Sequence, residues 1–309
     1  MRRACGLVLV GLCLGYALTP GHDNHLNVDH AVYLTTVHRM HHGTGYYPAM
    51  DRALRRQIGP AETSRAFRPP TVFLLWSLLP GDRWIWLLLV ALVGAAGWVL
   101  LGLTDAPWAV PLIALYLLYN AWNKYTLVEL WTVPLIVGAL WAWRADRPTV
   151  AAGVACAAAL VRETSAPLLV GGLFAAWRAG RPRWPWATGL AVFAAGLALH
   201  AHLASPHLSA HGAESPLLGT GRAPFSVARW MGFGLPAGPV VGPILWGLTV
   251  WRLTHHRDFG DLMLPSMAMP VLGVLITRDY WGALLVPFTI LWGAEALQEL
   301  ARRRIPARP

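Results

Sequence analysis

Asp29 stands in the stretch "VDHAVYLTTVHRMHHGTGYYPAM", residues 28 to 50, the most polar and aromatic part of a very apolar chain. Asn27 is placed to cap a helix and Gly43 to end it. A turn over Thr44 to Pro48 and a second short helix in "AMDRALRRQIG" follow. Asp29 then falls in the first helical turn, where the positive end of the helix dipole favours the ionised carboxylate. A general base or a metal ligand needs that ionised form. The bland alternative is that Asp29 only complements the dipole. The same region carries His22, His25, His30, His38, His41 and His42, and His38, His41 and His42 share one helix face. There is no HExxH and no Cys pair, so these histidines are read as interfacial polar groups rather than zinc ligands. His200, His202, His207 and His211 are read the same way. No cofactor is assigned; Mg²⁺ and Mn²⁺ remain candidates.

The elements that position Asp29 must be membrane helices. Of 309 residues, 56% are hydrophobic, 13% are charged and 17 are Trp, which is not a soluble composition. The net charge of +10 comes almost wholly from Arg, with Lys124 the one lysine. These arginines sit in short loops between apolar runs, where the positive-inside rule accounts for them without nucleic acid. Cys5, Cys13 and Cys156 lie in apolar runs and offer neither a disulfide framework nor a metal spacing. The N-terminal "MRRACGLVLVGLCLGYALTPG" is read as a first transmembrane helix rather than a cleaved leader.

The fold expected is all-α: a polytopic transmembrane bundle of about ten crossings with an outer-face loop of short amphipathic helices. The whole chain, 1–309, is one membrane domain, with 20–70 as the first extracytoplasmic loop and 298–309 as a basic cytoplasmic tail. "RADRP" (144–148), "RAGRPRW" (178–184), "RLTHHRD" (252–258) and the tail are the basic, inner loops. Counting back by parity puts "YNAWNKYTLVE" (119–129) outside, "TDAP" inside and "GDRW" outside. The apolar run 71–80 then cannot cross, and "RPPTVFLLWSLLPGDRW" reads as a half-depth hairpin on the outer side.

By this count nearly all the ionisable groups that are not loop anchors gather outside. They are Asp23, Asp29, Asp51, Lys124, Glu129, Arg162, Glu163, Arg278 and Asp279. Charge within membrane segments is costly, and its default reading is function. The inner face is expected to hold basic anchors and little else.

The order of "VDHAVYL", "GTGYYP", "FRPPTVFLLWSLLP", "YTLVELW", "LVRETSAPLLV" and "TRDYWGALLVPF" resembles the C-type membrane glycosyltransferases that use polyprenyl-phosphate sugars. It is particularly similar to bacterial mannosyltransferase-like members. The chain is short for that family, lacks a C-terminal soluble domain, and has a single acid where some members carry an acidic pair. The resemblance implies a lipid-phosphate sugar donor in the outer leaflet and a lipid or glycan acceptor arriving from outside. It implies a bacterial plasma-membrane enzyme with its site on the extracytoplasmic face. Asp29 would be the catalytic base. Arg278 with Tyr280, and Arg162, would hold the leaving phosphate, with Arg65 and Arg68 as second choices. Glu163 and Glu129 would orient the arginines or the acceptor, and Tyr47 and Lys124 complete the expected substrate-binding set. A buried ion pair is the alternative for Arg162 and Glu163, and an interface anchor for Arg278 and Asp279. A transporter or a non-catalytic assembly partner are the rival classes.

Overall fold

The structure is a computed structural model that describes residues 1–19, 28–61, 67–208, 238–255, 257–273 and 282–304. Among the described residues there are 13 α-helices and no strand. They are α1 (Arg2–Leu18), α2 (Val28–His41), α3 (Tyr46–Gln57), α4 (Thr71–Ser77), α5 (Asp82–Leu103), α6 (Ala109–Lys124) and α7 (Val128–Arg144). Then come α8 (Pro148–Val161), α9 (Pro167–Arg178), α10 (Trp184–Ala204), α11 (Gly238–His255), α12 (Arg257–Gly273) and α13 (Gly282–Arg304).

Three helical stretches, Asp82–Leu103, Trp184–His207 and Leu284–Arg303, are long and apolar enough to cross a membrane. Small residues let the helix backbones approach closely, as packing without a hydrophobic drive between helices requires. A Cβ built on Gly171 of α9 would lie 2.1 Å from the Leu262 carbonyl oxygen of α12. One built on Gly260 would lie 2.0 Å from the Leu253 carbonyl oxygen of α11. The face of α8 buried in the bundle is alanine-rich: Ala151, Ala152, Ala155, Ala158 and Ala159.

Side-chain links sort the helix ends into two groups, here the base and the roof. At the base, Arg2 Nη2 donates to the Thr104 carbonyl at 3.2 Å and Thr104 Oγ1 to Glu295 Oε1 at 2.7 Å. There too Arg252 Nε lies 3.1 Å from Glu295 Oε2. At the roof, Trp86 Nε1 donates to the Thr19 carbonyl at 3.1 Å and Thr71 Oγ1 to the Leu160 carbonyl at 2.9 Å. His30 Nδ1 lies 2.6 Å from Thr126 Oγ1. Helices α5, α6, α7 and α8 thus run alternately from one end to the other.

The roof is built from α2, α3 and α4. Gly43 takes φ +81, the left-handed conformation that lets the chain leave α2. Helix α3 begins at Tyr46, earlier than the expected turn over Thr44 to Pro48 allows. Pro48 falls in its first turn, where its missing N–H would have had no intrahelical partner anyway. Tyr46, Ala49, Met50, Ala53 and Leu54 form the buried stripe of α3, and Arg52, Arg55 and Arg56 face outward. Helix α4 has seven residues, about 10 Å of helix, which is too short to span a bilayer.

Two expectations about the base need correcting. The sequence predicts basic anchors and little else there, but Asp105, Asp261, Glu295 and Glu299 lie at the base in ion pairs with Arg252 and Arg178. Arg252 is only 9% exposed, because the expected loop 252–258 is mostly helical: α11 runs to His255 and α12 starts at Arg257. Helix α13 runs on to Arg304, so residues 298–304 extend the last helix into this network.

Candidate functional site

Arg162 is the centre of the roof's buried charge. It follows α8 in extended conformation, φ −147 and ψ 115, before a single 3-10 turn over Glu163–Ser165. This break between α8 and α9 turns the side chain toward α7. Its Nε lies 2.7 Å from Glu129 Oε1 and its Nη1 lies 2.9 Å from Glu163 Oε1. The Arg162 and Glu129 side chains are 1% and 3% exposed, whereas that of Glu163 is 36% exposed. Glu129 sits in the first turn of α7, where the helix dipole favours its charge.

A second group adjoins the first. Tyr33, on the turn of α2 after Asp29, is buried, and its hydroxyl accepts a hydrogen bond from Arg68 Nε at 2.9 Å. The Arg68 carbonyl accepts the Tyr46 hydroxyl, so Arg68 is gripped from α2 and α3 at once. Burial raises the Tyr33 pKa to about 12. Arg68 opposes the rise, while Asp29 and Glu129 add to it by repelling a phenolate. The Tyr33 hydroxyl therefore feels Asp29 on its own helix and Glu129 from the Arg162 cluster. Asp29 itself is half-buried, and no ion pair or hydrogen bond to it is found among the described residues.

Tyr47 leads to a third feature. Its hydroxyl lies 3.1 Å from His200 Nδ1, its ring stacks on His207 at an interplanar angle of 10°, and His200 Nε2 lies 3.2 Å from the Phe67 carbonyl. Tyr47 and His200 border a cavity of about 410 Å³ whose other walls are mainly apolar, among them Leu74, Leu160, Phe193 and Leu203. It lies between α3, α4, α8 and α10 at the roof.

The structure thus brings together Glu129, Arg162 and Glu163, places Asp29 and Arg68 around Tyr33, and sets Tyr47 at a cavity mouth. Lys124 ends α6, just before the Tyr125–Thr126 turn that holds His30. Arg278 and Tyr280, like Arg65, Asn27 and Asp279, lie outside the described residues. Arg162 is buried in an ion pair with both glutamates. Tyr33 and His200 join these groups without being among the residues expected from the sequence. Tyr33 was legible as one turn beyond Asp29 on the same face. The partners of His200, on α3 and at Phe67, are far away in sequence. Among the described residues no three His, Cys, Asp or Glu side chains are grouped to hold a metal ion. The chain matches no protein family, no curated protein and no solved structure.

Proposed function

We propose that the chain is a polytopic membrane glycosyltransferase of the C type, moving a mannose-like sugar from a polyprenyl-phosphate donor to an extracytoplasmic lipid or glycan acceptor. In this reading α1 and α5 to α13 are the crossings, and the roof faces outward from a bacterial plasma membrane. The observation that carries it is the continuity of the roof: a half-buried carboxylate, Asp29, shares the Tyr33 hydroxyl's surroundings with Arg68 and the Arg162 cluster, next to a long-walled apolar cavity. That cavity, within the ~300–1,000 Å³ usual for ligand sites, suits part of a polyprenyl chain.

The acceptor hydroxyl oxygen attacks the anomeric carbon from the face opposite the phosphate. The carbon–oxygen bond to phosphate breaks, its electron pair stays on the phosphate oxygen, and the acceptor proton passes to Asp29. One carboxylate suffices for such an inversion. The charge gained by the phosphate needs fixed cations. Arg68, locked by Tyr33 and Tyr46, is the described residue best prepared for that task, with Lys124 and the expected Arg278 and Tyr280 as its partners. Glu129 and Arg162 hold the roof ends of α7 and α8 in register.

The test is transfer of radiolabelled sugar from polyprenyl-phosphate mannose to membrane acceptors, wild type against Asp29→Asn at equal expression. Transfer that the variant loses supports the reading. Equal transfer by both removes Asp29 from the chemistry. No transfer by wild type, with several donor sugars tried, moves the reading to a transporter or an assembly partner.

A further inference from the structure

A hexapeptide, Trp-Arg-Ala-X-Arg-Pro, occurs twice, as residues 143–148 and 177–182. Both copies fold alike. Each first arginine ends a helix, Arg144 for α7 and Arg178 for α9. Position X is left-handed in both, Asp146 at φ 56 and Gly180 at φ 64. The amide of each second arginine returns to the last turn, Arg147 N to the Ala142 carbonyl and Arg181 N to the Ala176 carbonyl, both at 2.9 Å. These are Schellman turns, which satisfy the terminal carbonyls and reverse the chain. The repeat therefore places two like turns, with two arginines each, side by side at the base.

The copies meet across a cavity of about 320 Å³ lined by Trp143, Arg144, Arg178, Arg181 and Asp261, among others. Arg181 of the second copy lies over the Trp143 ring of the first, 4.4 Å from its centroid, and donates to the Trp143 carbonyl at 3.2 Å. Arg178 pairs with Asp261 of α12 at 3.0 Å, and Arg181 with the exposed Asp146 at 3.0 Å. With Arg147, the two copies bring four guanidinium groups to this end against the carboxylates of Asp261 and Asp146, enough to offset both and the roughly half-unit negative ends of α7 and α9. Side chains held by stacking and pairing present planar forks suited to phosphate oxygens. Trp141, Trp177 and Trp184 are 43%, 58% and 63% exposed around this end, as tryptophans are at headgroup depth. Loop anchors for topology need only charge; they need neither a repeated turn nor a shared cavity.

We propose that this cavity binds the phosphate of an anionic membrane lipid, its diester headgroup held by Arg144, Arg178 and Arg181 while its acyl chains lie along the exposed face near Trp177. Such basic pockets between membrane helices on the positive-inside face are where anionic headgroups dock. The site is independent of the transfer reaction at the roof.

The test uses the full-length chain in nanodiscs and, after detergent extraction, native mass spectrometry of retained lipid. Wild type should retain phosphatidylglycerol in preference to phosphatidylcholine, and its unfolding midpoint should rise when phosphatidylglycerol is added to phosphatidylcholine nanodiscs. R144K/R178K/R181K keeps the charge that sets topology but loses the forks. It should lose retention by roughly tenfold, and Arg181→Gln alone, the milder probe should the triple variant fail to fold, should lose part of it. Arg302→Lys, exposed at the same end, should behave as wild type. Equal retention by wild type and both cavity variants, or an equal loss in Arg302→Lys, overturns the proposal. Stabilisation by inorganic phosphate that depends on these arginines, with no preference for phosphatidylglycerol, reassigns the ligand to soluble phosphate and overturns the lipid source.

Discussion

Arg162 Nε lies 2.7 Å from Glu129 Oε1 with both side chains withdrawn from solvent, so the roof ends of α7 and α8 are joined by a buried ion pair. Such a pair adds little over an apolar contact, but breaking it leaves a charge without its partner. Arg162→Met and Glu129→Leu should each lower stability by about 3–5 kcal/mol, and the double variant by clearly less than the sum. Thermal unfolding in detergent measures this. Additive losses would mean that the two groups are not coupled.

Tyr33 should stay protonated through the whole working range. Its pKa is raised to about 12 from the ordinary value of 10, with burial the main cause. A raised value stabilises the fold fully below pH 10, and that contribution is lost as pH rises through 12. The difference in tyrosinate absorbance between wild type and Tyr33→Phe should therefore be flat at pH 10 and appear only above it. A difference that titrates near 10 would place Tyr33 in water.

Helix contacts at glycine should be intolerant of one methyl group. Gly171→Ala puts a carbon 2.1 Å from a backbone oxygen of α12, and Gly260→Ala puts one 2.0 Å from a backbone oxygen of α11. Backbone cannot step aside as a side chain can, so each should cost about 1–3 kcal/mol or more. Gly153→Ala, with nothing within 4 Å, should match or slightly exceed wild-type stability because alanine favours helix. The three unfolding midpoints, compared in one detergent, check this.

At the base, Glu295 accepts from Thr104 Oγ1 at 2.7 Å and the Asp105 amide at 3.1 Å, and pairs with Arg252. Glu295→Gln keeps the shape but removes the charge, and should lower stability by about 1–3 kcal/mol. Glu299→Gln, whose carboxylate is more exposed and pairs with Arg252 at 3.6 Å, should cost less. The order of the two unfolding midpoints is the readout.

What the sequence carried on its own was periodicity, sidedness and local stops. The alternation of apolar runs with arginine loops assigned helix ends to two faces, because a charge placed in hydrocarbon is costly enough to leave its mark on every loop. Gly43 announced the end of α2, since few other residues adopt its φ of +81 cheaply. The apolar stripe of α3 was readable from its spacing. Asp29 was legible as a first-turn acid, and Glu129 and Arg162 as charges at helix ends facing the same side.

Only the tertiary structure decided which of these charges meet. Arg162 holds its neighbour Glu163 and the distant Glu129 at once, and nothing local to it announces the second partner. That partner follows from the packing of α7 on the alanine face of α8, which brings the Glu129 carboxylate to the Arg162 guanidinium. Likewise Arg252 looked like a loop anchor until α11, α13 and the Thr104–Asp105 turn enclosed it. Spacing along a chain reports what a residue's own helix does. Whether a charge ends in water or in a buried pair depends on which other helix lies beside it, and that is set by the shapes of small and large residues summed over the whole bundle.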